Sequence, residues 1–119
     1  MSAHSGALEA VDRILNRGGD ADEVLRQVVS ALHERVDAYS WVGIWFVEEG
    51  ELVLGPSAGE PQEEPTRFPI SYEGRVVAEL GVAWAGLAAE DAALLERVAL
   101  LISPYCLVGW DTGGEAWSP

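Results

Sequence analysis

Residues 39–47, Tyr-Ser-Trp-Val-Gly-Ile-Trp-Phe-Val, constrain the fold more than any other stretch of this chain. The segment is β-branched and aromatic, the composition strands favour. Successive side chains on a strand point to opposite faces. The odd set is Tyr39, Trp41, Gly43, Trp45 and Val47, the even set Val42, Ile44 and Phe46, so both faces are apolar. Such a strand must be covered on both sides, which predicts a central place in a sheet. Glu48-Glu49-Gly50 then reads as a turn in which the glycine supplies positive φ, and Glu51–Pro56 as the returning arm.

Helices are needed to cover one of those faces, and the chain supplies three. Ala7–Arg17 carries Leu8, Val11, Ile14 and Leu15 on one stripe, with Ser5 as a candidate N-cap and Gly18-Gly19 as the stop. Asp20 is placed to cap a second helix running to about Ala38, with Glu23 completing a capping-box pattern. Val24, Leu25, Val28, Val29, Leu32 and Val36 form its buried stripe, and His33 sits at the border. The third runs from Ala88 to about Ser103, with Leu94, Leu95, Val98, Leu101 and Ile102 on one side and Glu90, Asp91, Glu96 and Arg97 on the other. Pro104 must end or kink it.

Between them, Ser57–Thr66 reads as an acidic loop, because Pro56, Pro61 and Pro65 break regular structure and Glu60, Glu63 and Glu64 keep it solvated. It lacks the alternating ligands and central glycine of a calcium loop. Arg67–Tyr72 and Arg75–Trp84 form a second hairpin across Glu73-Gly74. Alternation places Val76, Ala78, Leu80, Val82 and Trp84 on the core face.

Composition excludes several classes of function. With 119 residues the chain is one domain. Twenty acidic residues face seven basic ones, all Arg and scattered along the sequence, and a net charge of −13 argues against nucleic-acid binding. No apolar run reaches the roughly 20 residues of a membrane span. The N-terminus lacks a basic region followed by an apolar stretch, so a cytoplasmic protein is expected. Cys106 is the sole cysteine, which removes disulfides and cysteine metal sites, and its apolar surroundings predict an inert buried thiol. His4 and His33 offer little material for a Ser-His triad. Asp111-Thr-Gly matches the catalytic triplet of aspartic proteases, but too little chain follows it to build the strand that supports such a site.

The ordered motifs carry a resemblance. Trp41-Val-Gly-Ile-Trp-Phe followed by Glu51-Leu-Val-Leu-Gly-Pro-Ser-Ala-Gly59 resembles the first hairpin of GAF domains, most closely the branch of the free methionine-(R)-sulfoxide reductases. Phe68–Val82 resembles that branch's last strand pair, and Ala89–Val98 its terminal helix. The resemblance implies an α+β, PAS-like domain over residues 7–110. It would have about four mainly antiparallel strands with three helices packed on one face, and a tail at 111–119. In that branch a long segment between the hairpins closes the ligand pocket and carries the reducing cysteines. Here the interval is reduced to Ser57–Thr66 and holds no Cys. Two alternate aspartates of the branch's last long strand, which hold the substrate amine, align with Gly81 and Ala83.

A reductase needs a thiol to attack the sulfoxide and a charge to hold the amino acid. The expectation is therefore a reduced, non-catalytic GAF-like module, homodimeric through helices or through the sheet face bearing Trp41 and Trp45. A protein partner is possible on this view, and no metal or cofactor is expected. The alternative is a small-molecule sensor whose ligand stacks on Trp41 and Trp45, with Val53, Ser71, Glu79 and Ala83 around it. A remnant reductase is third.

Overall fold

A computed structural model describes residues 3–61, 64–84 and 88–107. The element order is α1 (Ala3–Arg17), α2 (Ala21–Arg35), β1 (Trp41–Glu48), β2 (Glu51–Gly59), β3 (Thr66–Tyr72), β4 (Arg75–Ala83) and α3 (Ala89–Ile102), followed by a 3-10 turn at Ser103–Leu107. The strands form one antiparallel sheet in the order β2-β1-β4-β3, so β1 is central, as its two apolar faces require. The turn at Glu49-Gly50 takes positive φ at both residues, the twist-matched geometry of a two-residue hairpin.

The core lies between the sheet and the helices. Val42, Ile44, Phe46, Phe68, Ile70, Ala78, Leu80 and Val82 project from the sheet onto Val24, Leu25, Val28, Val29 and Leu32 of α2 and Leu94, Leu95, Val98 and Ile102 of α3. Both helices pack on strands, while α1 packs on α2 and α3 and adds Ala7, Val11 and Ile14. Each fully buried aliphatic contributes roughly 1.5–3 kcal/mol of transfer free energy, so this cluster is the main source of stability.

Several boundaries and faces differ from the sequence reading. Helix α1 begins at Ala3, so Ser5 lies inside its first turn and does not cap it. Asp20 holds the N-cap position of α2 but makes no side-chain cap hydrogen bond, and the helix stops at Arg35, with buried Val36 as its C-cap. Strand β2 continues through Ser57, Ala58 and Gly59, because Pro56 falls at an irregularity opposite Ile44 where no ladder donor is needed. The acidic connection is thus only residues 60–65. Val76 is exposed and Val77 buried, the reverse of the alternation. The register jumps from Ile70↔Ala78 to Ser71↔Val76, and the bulge turns Val77 into the core. Pro104 lies in the 3-10 turn that ends α3. The tail at 111–119, Asp111 included, lies outside the described residues.

Candidate functional site

The outer face of the sheet, away from the helices, is built around two glycines directly opposite each other, Gly43 on β1 and Gly81 on β4. Their neighbours on that face are Trp41 paired with Ala83 and Trp45 paired with Glu79. Two facing glycines leave a shallow floor two strands wide, and the indoles lie down on it. A Cβ added at Gly43 would run into the six-membered ring of Trp41, and one at Gly81 would run into Trp45 and crowd Trp41. The two rings sit 5.3 Å apart between centroids, tilted by 49°, within the range of favourable aromatic pairs. Trp41 is 6% exposed, and Trp45 is half-buried.

Arg67, opposite Gly81 on β3, stacks on Trp45, with its guanidinium carbon 5.1 Å from the ring centroid. Its Nη1 lies 3.6 Å from Glu79 Oε1. Both partners reach solvent, so the ion pair contributes at most about 1 kcal/mol and the cation–π contact a similar amount. Trp41, Trp45 and the Arg67 guanidinium thus pack together over Gly43 and Gly81 at the centre of the sheet. The shape such a face would need to receive a planar ligand is filled by the protein's own side chains.

Of the six site residues read from the sequence, Trp41, Trp45, Glu79 and Ala83 lie together on this face. Ser71 shares the face but lies exposed at the β3 edge, paired with Val76. Val53 does not belong to it. Val53 pairs with Phe46 and so points to the helix side, while Leu52 and Leu54 take the outer face beside Val47 and Trp45. The irregularity between Gly43 and Trp45 is confined to the segment beyond Leu54 and leaves this register intact.

Among the described residues the face offers one carboxylate, Glu79, one guanidinium, Arg67, and no thiol. Cys106 sits in the helix-side core, 1% exposed, where burial pushes its thiol up to about 12, so almost no thiolate forms near neutral pH. Among the described residues no group of three His, Cys, Asp or Glu side chains is placed to hold a metal ion. None of their helices is long and apolar enough to cross a membrane.

One buried polar cluster escaped the sequence reading. Asp91, expected among the solvated acids of α3, is 1% exposed. Its Oδ1 accepts hydrogen bonds from the Tyr39 hydroxyl at 2.7 Å and from His4 Nε2 at 2.5 Å, and its Oδ2 accepts from the Ala88 N–H at 3.0 Å. Burial alone would raise its pKa, but the donors from His4, Tyr39 and Ala88 outweigh that and hold the carboxyl below its usual range. The Tyr39 hydroxyl is held protonated far above its ordinary pKa, by burial first and then by Asp91. Tyr39 also packs against Trp84, ring centroids 5.6 Å apart. The cluster ties the first turn of α1 and the start of α3 to the entry of β1; it faces the core side and is structural.

No protein-family model matches the chain, and no curated protein matches it. Solved structures do. The GAF domain of a phosphoenolpyruvate-protein phosphotransferase from Coxiella burnetii superposes with a TM-score of 0.74 at 16% identity, covering 96% of this chain and 100% of that one. The fRMsr of Staphylococcus aureus, in complex with substrate, gives a TM-score of 0.73 at 14% identity over 87% of this chain and 95% of that one. The type II free methionine-R-sulfoxide reductase of Thermoplasma acidophilum gives 0.63 at 20% identity, over 75% and 96%. The chain therefore has the GAF-like α+β fold that its motifs suggested. At these identities the likeness extends to the fold alone, and it spans enzymes as well as domains of other kinds.

Proposed function

We propose that this chain is a non-catalytic GAF-like regulatory or interaction module that works as a homodimer. The observation that carries the reading is Trp45 packed against Gly81 and stacked with Arg67, which fills the centre of the outer face with the chain's own side chains. With Cys106 sealed in the opposite core, no thiol is within reach of that face, and sulfoxide reduction has no nucleophile.

The dimer is assigned to the outer face. Leu52, Leu54 and Val76 are exposed by 39%, 49% and 44% there, next to half-buried Val47 and Trp45. Apolar patches of this kind mark interaction sites on soluble domains. Light scattering of the purified protein tests this directly, with a dimer expected for the wild type and a monomer for Leu54→Glu. A wild-type monomer at all concentrations would sink the dimer reading.

The sensor reading is retained because of Arg67. Its stacking on Trp45 means that the indole face accepts a planar cation, so a cationic aromatic ligand could replace the guanidinium. Tryptophan fluorescence across planar cations, nucleotides and amino acids distinguishes the two. Saturable quenching abolished by Trp45→Ala would favour the sensor.

A further inference from the structure

The strongest concentration of positive charge lies on the helix layer. Arg13 and Arg17 of α1 and Arg26 and Arg35 of α2 line a single open groove of about 620 Å³ between the two helices. The chain has only seven basic residues and a net charge of −13, so more than half of its cations border one channel. The groove contains a single carboxylate, Glu34. The four arginines are scattered along the sequence, and only the packing of α1 on α2 gathers them.

Two of them are already engaged. Arg17 donates to Gln27 Oε1 at 3.1 Å, and Arg26 pairs with Asp22 at 2.8 Å, one turn away on its own helix. Arg13 and Arg35 have no hydrogen bond or ion pair among the described residues. The floor between the two pairs is apolar and low, formed by Ala10, Ile14 and Ala31. Arg26 and Arg35 are nine residues apart on α2, a span of roughly 13 Å at the helical rise.

We infer that this groove docks an acidic amphipathic helix of a partner protein, with small apolar side chains on the Ala10-Ile14-Ala31 floor and carboxylates reaching Arg13 and Arg35. Charge decides among the occupants. A second copy entering by a two-fold axis would set arginines against arginines, which disfavours this face as a contact between copies. An extended polyanion such as a nucleic acid would meet the net charge of −13 beyond the groove. A short acidic helix of two to three turns matches the length between the arginines, and small floor residues leave room for a third helix to nest between two.

The test uses the full chain and a fluorescein-labelled helical peptide with an alanine-leucine stripe flanked by glutamates. The matching lysine-flanked peptide and a short single-stranded oligonucleotide serve as alternatives. The glutamate peptide is expected to bind, the lysine peptide not, and amide shifts on the wild-type protein should map to α1 and α2. Arg13→Glu with Arg35→Glu should weaken binding at least about tenfold, while Arg97→Glu, which makes the same kind of charge change on α3, should alter it by less than about twofold. Binding should weaken several-fold between about 0.05 and 0.3 M salt. No binding, equal loss with Arg97→Glu, shifts mapping to the sheet, or an oligonucleotide binding as tightly as the peptide would each overturn the proposal. Because the dimer contact proposed above is placed on the opposite face, its failure leaves this result standing, and the reverse.

Discussion

Gly81→Ala is the smallest change that challenges the packing of the outer face. Gly81 has no left-handed backbone requirement, so alanine costs nothing in φ. On an open strand the exchange would stabilise by about 0.4–1 kcal/mol, because the unfolded chain loses freedom. Here the new methyl occupies the place of the Trp45 ring, with the Trp41 ring 3.2 Å away on its other side. Forcing a methyl into filled space typically costs about 1–3 kcal/mol. If Trp45 instead swings outward, it gives up the Arg67 stack, about 0.5–1 kcal/mol, and its packing on Trp41. Either route leaves a net loss of roughly 1–2 kcal/mol, or about 4–8 °C in Tm for a chain of this size.

A double-mutant cycle isolates the cause. In a Trp45→Ala background the methyl enters vacant space, and Gly81→Ala should be neutral or stabilising by up to about 1 kcal/mol. The coupling between the two positions is then about 2 kcal/mol. Urea unfolding followed by far-UV circular dichroism reads all four variants without relying on the mutated fluorophore. Equal effects of Gly81→Ala in both backgrounds, within about 0.5 kcal/mol, would refute the claim that Gly81 is the seat of Trp45.

Other expectations concern the core and the surface. Asp91→Ala should cost roughly 3–5 kcal/mol, since it strands the Tyr39 hydroxyl, the Ala88 N–H and the His4 ring, whereas His4→Ala should cost about 1 kcal/mol, both measured by urea unfolding. Because Asp91 titrates lower in the folded state, it stabilises above the ordinary carboxylate range. That contribution fades as the pH falls through its folded pKa, so acid unfolding of Asp91→Asn should lack part of the wild-type slope. Cys106 and Tyr39 act in the opposite sense. Each titrates higher when folded, so stability is unaffected by them below about pH 9 and declines as the pH rises above the ordinary thiol and phenol ranges, because the folded state resists their ionisation. A thiol reagent should correspondingly label Cys106 only as fast as the protein unfolds. Salt should strengthen the proposed homodimer by screening two acidic subunits from each other, and sedimentation that shows weakening with salt would contradict the outer-face proposal.

How much of this was legible follows from how far each constraint reaches along the chain. The central place of β1 and the buried stripe of α2 are local patterns, and both were readable from spacing alone. Asp91 was not, because its position within α3 matches the solvated acids around it and its partners lie 52 and 87 residues away. The Val76/Val77 inversion was hidden for a similar reason, since a bulge is set by pairing with β3 and not by the strand's own alternation. Gly81 was read through the resemblance as a binding carboxylate that is missing. The structure gives it a positive role, as the only kind of residue that lets Trp45 lie flat.

That role follows from topology. Strands β2 and β3 are the two edges of the sheet, so the connection at 60–65 must pass β1 and β4 to join them. Three inter-strand spacings make that crossing about 14 Å. Six residues with their flanking links reach at most about 24 Å when fully extended. Little chain is left over beyond that crossing. A sheet whose central strand is apolar on both sides must then be covered by its own side chains, by a second molecule, or by both. Facing glycines with indoles laid across them cover the middle, where Trp41 is almost fully buried. They do not reach the β2 edge, where Leu52 and Leu54 remain exposed, and that is the part of the face a second subunit would cover. Filling the centre thus leaves an apolar margin at the β2 edge, which is where the proposed second subunit would sit.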